Sequence, residues 1–208
     1  MSQSGEQIEA ASFAIIDALI PEPRPFHGAL WQIARRCIHT VGDPTIISDL
    51  RFSEQALEQG LMALQEKCTV YTDTKMAKEG ISAWRIGALG VRVEPLMNLP
   101  NLAERAKERA VTKASLGIEE IAPKLAGQIV VIGNAPTALL TLLEVLAAGA
   151  PQPALIVGMP VGFVQAAEAK ERLAQSQYAH FTLLGRRGGS ALAACCINAL
   201  AELLLAKQ

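Results

Sequence analysis

Four short apolar runs recur along the chain, and each closes on a small, polar or glycine-rich segment that opens a helical stretch. CTVY (Cys68–Tyr71) leads into Thr72, Asp73 and Thr74, and QIVVI (Gln128–Ile132) into Gly133, Asn134, Ala135 and Pro136. PALIV (Pro153–Val157) leads into Gly158, Met159, Pro160, Val161 and Gly162, and HFTLL (His180–Leu184) into Gly185, Arg186, Arg187, Gly188, Gly189 and Ser190. Strands without polar alternation are buried on both faces, which is the habit of parallel sheets. Their alternation with helices predicts an α/β fold: a mostly parallel sheet with helices on both faces, in one domain over residues 1–208. In such sheets ligands bind beyond the carboxyl ends of the strands. The four closing segments therefore converge on one edge, the expected place of a site.

The rest of the chain is read around this frame. Ser4 with Gln7 forms a capping box, with Ile8, Ile15, Ile16 and Leu19 at helical spacing behind it. PEPRPF stops that helix, and a second runs from about His27 to His39. TIISDLRF reads as a strand, and Ser53 caps the helix after it. VRVEPL is a weaker strand, and Asn101 with Glu104 opens a helix towards Ser115. Pro136 suits the first turn of TALLTLLEVLAAG, and Gly149 its end.

Composition removes several classes of function. Half the residues are hydrophobic and the net charge is −1, so charge does not point to nucleic acid or to a membrane surface. The most apolar helical stretch, Ala191–Ala206, is too short to span a bilayer and carries Asn198 and Glu202. The N-terminal MSQSGEQIEA lacks the pattern of a signal peptide. The four cysteines, Cys37, Cys68, Cys195 and Cys196, form no CxxC pair or zinc grouping and read as buried thiols in a reducing cytoplasm. No metal site is expected, and neither GxGxxG nor GxxxxGK[ST] occurs.

Candidate residues gather in a few places. RRCIHTVGDP (Arg35–Pro44) sets His39, one of three histidines, between a helical stretch and a Gly-Asp-Pro break. Two readings stand: His39 caps the helix end, or it transfers protons at the edge of a pocket. GRRGGS offers two guanidinium groups and glycine-rich backbone N–H groups, suited to carboxylate or phosphate. Asn134 binds a ligand or caps the following helix, and Asp73 has the same alternatives. His27 and His180 read as structural or surface residues, Trp31 and Trp84 as core or interface.

Six blocks, in this order, resemble the precorrin-8X methylmutase (cobalt-precorrin-8 methylmutase) family. They are IEAASFAIID (Ile8–Asp17), IHTVGD (Ile38–Asp43), YTDTKMAKEGI (Tyr71–Ile81), VVIGNAPTALLTLLE (Val130–Glu144), PALIVGMPVGFVQAAEAKERL (Pro153–Leu173) and GRRGGSALAACCINAL (Gly185–Leu200). The resemblance implies an isomerase of cobalamin biosynthesis. It would move a methyl group from C-11 to C-12 of precorrin-8X or cobalt-precorrin-8, giving hydrogenobyrinate or cobyrinate, with no cofactor. It implies His39 as the catalytic acid and base, with Ser12 orienting it by a hydrogen bond. It also implies a homodimer with the active site near the interface. The substrate's many carboxylates would meet Arg36, Arg186, Arg187 and the N–H groups of Gly188, Gly189 and Ser190, with Thr72, Asp73, Asn134 and Lys113 also in the binding set; Arg35 is a further carboxylate candidate. Lys113 stands where the family commonly has arginine, which keeps the charge and loses the bidentate fork. Two alternatives are a non-catalytic corrinoid carrier and a sugar-phosphate or nucleotide isomerase; the missing phosphate loop counts against the latter.

Overall fold

The computed structural model describes residues 4–206. One six-stranded sheet is built from β1 (Leu50–Phe52), β2 (Thr69–Thr72), β3 (Arg92–Pro95), β4 (Ile129–Ile132), β5 (Leu155–Gly158) and β6 (His180–Leu183). Their order is β1-β6-β5-β4-β2-β3, and every pairing is parallel except β1 with β6. Ten α-helices accompany them among the described residues: α1 (Gly5–Leu19), α2 (Gly28–Val41), α3 (Ala56–Gln65), α4 (Lys75–Gly80), α5 (Ala83–Ala88), α6 (Leu102–Glu108), α7 (Lys113–Ile121), α8 (Pro136–Ala147), α9 (Ala166–Ala174) and α10 (Ser190–Leu205).

The strands divide two cores by simple alternation. Val70, Ile129, Val131, Leu155, Val157, Phe181 and Leu183 face one layer, with α2, α3 and α10. Tyr71, Val130, Ile132 and Ile156 face the other, with α7, α8 and α9. The α/β reading with helices on both faces therefore holds. From β2 the chain goes outward to β3, then returns to β4 on the other side of β2. The switch point thus lies between β2 and β4, where such sheets open a ligand crevice.

The structure departs from the sequence reading in several places; Ser53, for one, does not cap α3, and its hydroxyl accepts the His180 N–H. TIISDLRF is a strand only at Leu50–Phe52; Pro44–Ser48 is a 3-10 turn, because Asp43 accepts the Thr45 N–H and Pro44 favours its first position. No single helix runs from Asn101 to Ser115. Asn101 is left-handed (φ 50°) and makes no side-chain cap, and Thr112 starts a new helix by accepting the Ser115 N–H. The sequence reading also passed over α4 and α5, capped by Thr74 and Ser82. Finally, the capping box of Ser4 and Gln7 is present, but of the apolar face behind it only Ile16 is buried. Ile8, Ile15 and Leu19 are 53%, 61% and 59% exposed. A polar clamp docks α1 instead: Asp17 accepts from Trp31 Nε1 at 2.9 Å and from Arg35 Nη1 at 2.8 Å.

Candidate active site

His39 lies in the last turn of α2. The capping alternative is not taken. Gly42, left-handed at φ 71°, ends the helix with its own N–H on the Ile38 carbonyl, 2.8 Å away. The His39 ring is exposed and meets Phe13 edge-on at 5.5 Å. It borders two cavities of different character. One, of about 240 Å³, is mostly apolar and lined by Ser12, Ile15, Ile16, Leu19, Gly42 and Pro44. The other, of about 300 Å³, is polar: Glu9, Arg36, Arg85 and Asn198 line it, and Ala191 carries it to the first turn of α10.

Other predicted residues are more committed than expected. Ser12 shares a cavity with His39, but its hydroxyl donates to the Ile8 carbonyl at 2.9 Å rather than to the imidazole. That is the usual back-bond of a serine inside a helix. Arg35 pairs with Asp17 and lies over the Phe13 ring at 4.3 Å. Arg36 pairs with Glu9 at 3.0 Å and Glu202 at 2.5 Å. Arg187 pairs with Asp43 at 2.5 Å and Asp49 at 2.7 Å. Each of these three guanidiniums already holds a carboxylate of the chain itself, which a ligand carboxylate would have to share or displace. Arg186 differs: it is exposed, has no ion-pair partner among the described residues, and lies 5.6 Å from the Phe163 ring.

The carboxyl ends of β2 and β4 are joined by Asp73. Its buried carboxylate accepts the N–H groups of Gly133 (3.2 Å), Asn134 (2.7 Å) and Ala135 (2.9 Å). Burial pushes this carboxyl above the usual range, and the three amides pull it back. Thr74, not Asp73, caps α4. Thr72 is fully buried and donates to the Thr74 carbonyl. Thr74 Oγ1 in turn meets Ser190 Oγ at 3.1 Å, tying β2 to the start of α10. Asn134 does not cap α8 either: Ala135 holds that position, Pro136 follows it, and the Asn134 side chain is exposed. Gly189 donates to the Met159 carbonyl at 2.9 Å, and Gly162 to that of Arg186 at 3.1 Å, so the last two loops are stitched together.

Lys113 is exposed at the start of α7 and lines a separate cavity of about 490 Å³ with Lys75 and Asn101. Lys75, which opens α4 after β2, was not singled out from the sequence. Phe13, the ring against His39, was missed as well; it lies within the first quoted block. Of the remaining histidines, His27 is exposed, while His180 is buried with Nδ1 2.8 Å from the Tyr178 carbonyl. Trp31 is core and Trp84 is 72% exposed. The four cysteines are free and buried, and burial pushes Cys68 up to about 12, so this thiol is inert near neutrality. Among the described residues no three His, Cys, Asp or Glu side chains are grouped to hold a metal ion, and no helix is long and apolar enough to cross a membrane.

Fold and site together define an α/β protein with stitched loops beyond its strand ends and one open imidazole between an apolar and a polar cavity. The sequence pattern of precorrin-8X methylmutase matches residues 7–203. The chain is 43% identical to the precorrin-8X methylmutase of Pseudomonas aeruginosa, over 96% of each chain. It is 40% identical to the cobalt-precorrin-8 methylmutase of Salmonella typhimurium, over 95% of each. The crystal structure of precorrin-8X methylmutase from Thermus thermophilus superposes with a TM-score of 0.89 at 38% identity, covering 98% of both chains. The chain belongs to the precorrin-8X methylmutase family, isomerases of cobalamin biosynthesis.

Proposed function

We propose that this protein moves a methyl group from C-11 to C-12 of a precorrin-8 tetrapyrrole, with His39 as general acid and base. The observation that carries the reading is the open His39 ring, shared by two cavities at the end of α2. An imidazole has one ring nitrogen that donates a proton and one that accepts it, so it can give a proton to the conjugated macrocycle and take it back. Protonation makes the macrocycle a better electron sink. The bond from the methyl group to C-11 then breaks as the bond to C-12 forms, and the proton returns to His39. Substrate and product are isomers, so the step needs neither a redox cofactor nor a methyl donor. Anaerobic incubation with metal-free and with cobalt-containing substrate tests the reading directly. Product from either supports it, whereas tight binding of both without turnover would mark a corrinoid carrier.

The substrate's peripheral carboxylates would meet the exposed side chains of Arg186, Lys113 and Asn134; the Gly189 N–H and the Arg187 guanidinium of the same loop already have partners within the chain. Product binding is therefore expected to weaken as salt rises, because exposed charges are screened. A titration followed by the shift of the product's visible band, repeated from low to high salt, checks this; salt-independent binding would count against these contacts. Lys113→Ala is expected to weaken product binding by roughly tenfold or more, the scale of a hydrogen bond to a charged group. Lys113→Arg should keep or tighten it by restoring a bidentate donor.

The reading includes a homodimer with the active site near its interface, and a cytoplasmic location in line with the thiol pattern. The exposed Ile8, Ile15 and Leu19 on α1, with Val41 at the end of α2, leave an apolar face beside His39 that a second copy would cover. Ile15→Asp is expected to give monomers in sedimentation velocity, where the parent chain runs as a dimer.

A further inference from the structure

Lys170, the lysine of α9, turns inward. Ala166, Ala169, Lys170 and Leu173 form the buried face of that helix, and Lys170 is fully buried. Its Nζ donates to the Arg187 carbonyl at 2.6 Å. A buried ammonium is costly unless it is paired or hydrogen-bonded, so its place here asks for a reason. The other end of Arg187 supplies one. Arg187 Nη1 donates to Asp43 Oδ2 at 2.5 Å and to Thr45 Oγ1 at 2.8 Å, and Nη2 donates to Asp49 Oδ2 at 2.7 Å. Asp43 lies between Gly42 and Pro44, and both of these line the apolar cavity beside His39. The segment that forms this wall is thus held from behind by one guanidinium, whose backbone is held in turn by Lys170.

We infer that Lys170 and Arg187 are positioning residues, which fix the α2 exit, and with it His39, against the loop before α10. The inference rests on the catalytic reading of His39 given above. It also assigns Arg187 a part different from carboxylate binding: its charge faces Asp43 and Asp49, and the neighbouring Arg186 is left to meet a ligand. Two positive and two negative side chains make up this unit, spanning α9, the β6–α10 loop and the turn after α2.

Four variants test it: Arg187→Gln, Lys170→Met, Asp43→Asn and the double variant Arg187→Gln/Asp43→Asn. Misplacement of a catalytic group by about 1 Å costs on the order of a hundredfold, so kcat is expected to fall by about that much in Arg187→Gln. Binding of hydrogenobyrinic acid, read from its visible band, should stay within about twofold. The double variant should be no slower than Arg187→Gln, because both changes break one unit. The His39 imidazole resonance, one of three in the protein, should move in Arg187→Gln and Lys170→Met without any ligand present. A large loss of product binding with kcat kept at saturation would overturn the inference and make Arg187 a ligand-binding residue. An unmoved His39 resonance with unchanged kcat would also overturn it. The ligand-free resonance keeps the positioning claim separate from the activity: if it moves while the parent protein shows no turnover, the failure lies with the catalytic reading. Arg187 is partly exposed, so its variant reports even if the substitution at buried Lys170 prevents folding.

Discussion

His39→Ala is expected to lower methyl migration by about a hundred- to ten-thousandfold, the typical worth of a positioned general acid or base. The fold should survive, since the side chain is exposed and its main contact is the Phe13 edge. Product should still bind, because the groups proposed to hold carboxylates lie on other elements. Single-turnover measurements on substrate at saturating enzyme would read the chemical step apart from product release. Circular dichroism and a thermal melt would show that the variant is folded. Turnover near that of the parent chain in a folded His39→Ala protein would remove the imidazole from the mechanism, whatever the cavities around it suggest. His39→Asn adds a useful comparison: it keeps a polar group of similar reach but cannot carry the proton, so it should be as slow as the alanine variant.

Gly188→Ala is expected to destabilise the protein by about 3 kcal/mol, the upper end of the usual cost of overpacking a tight site. A Cβ at this position would lie 2.3 Å from the Met159 carbonyl oxygen and 2.9 Å from that of Pro160. Both are backbone atoms of the loop after β5, so no side chain can turn aside. Gly133 meets the same limit on the other side: its Cβ would lie 2.6 Å from Ser190 Cα. Glycine is used here for close approach, and that approach brings the segments after β4, β5 and β6 into one surface. Urea unfolding of Gly188→Ala against the parent chain checks the figure. Gly87→Ala serves as the control, since Gly87 lies in α5 with nothing within 4 Å of an added Cβ, and alanine favours a helix over glycine. Equal stability of the Gly188 variant would mean that the two loops do not touch as described.

The chain's local chemistry already carries its architecture. Runs such as QIVVI and PALIV are too apolar to face water, and the small residues after them mark where strands give way to helices. Order along the chain, with the parallel rule, then places those turns on one edge. Local capping is legible for the same reason, as at Ser4 and Pro136, because it depends on residues three or four apart. The reading weakens where two local signals compete. Asn101 does precede a helix, but its backbone turns left-handed and its side chain makes no cap bond, while Thr112 opens a second helix that the sequence reading merged with the first.

The site divides in the same way. That His39 ends a helix follows from the sequence around it, and the family blocks single it out as the catalytic candidate. Which charges remain open to a ligand could not be read there. Arg36, Arg186 and Arg187 are alike as letters. Only packing gives Arg36 to Glu9 and Glu202, joins Arg187 to an aspartate 144 residues away, and leaves Arg186 exposed. Likewise Asp73 resembles a helix cap until β4 comes alongside β2 and brings three amides to its carboxylate. Strand, helix and turn are set by neighbours along the chain. The partner of a charge is set by which surfaces the folded layers bring within 3 Å of each other, and that belongs to the tertiary structure alone.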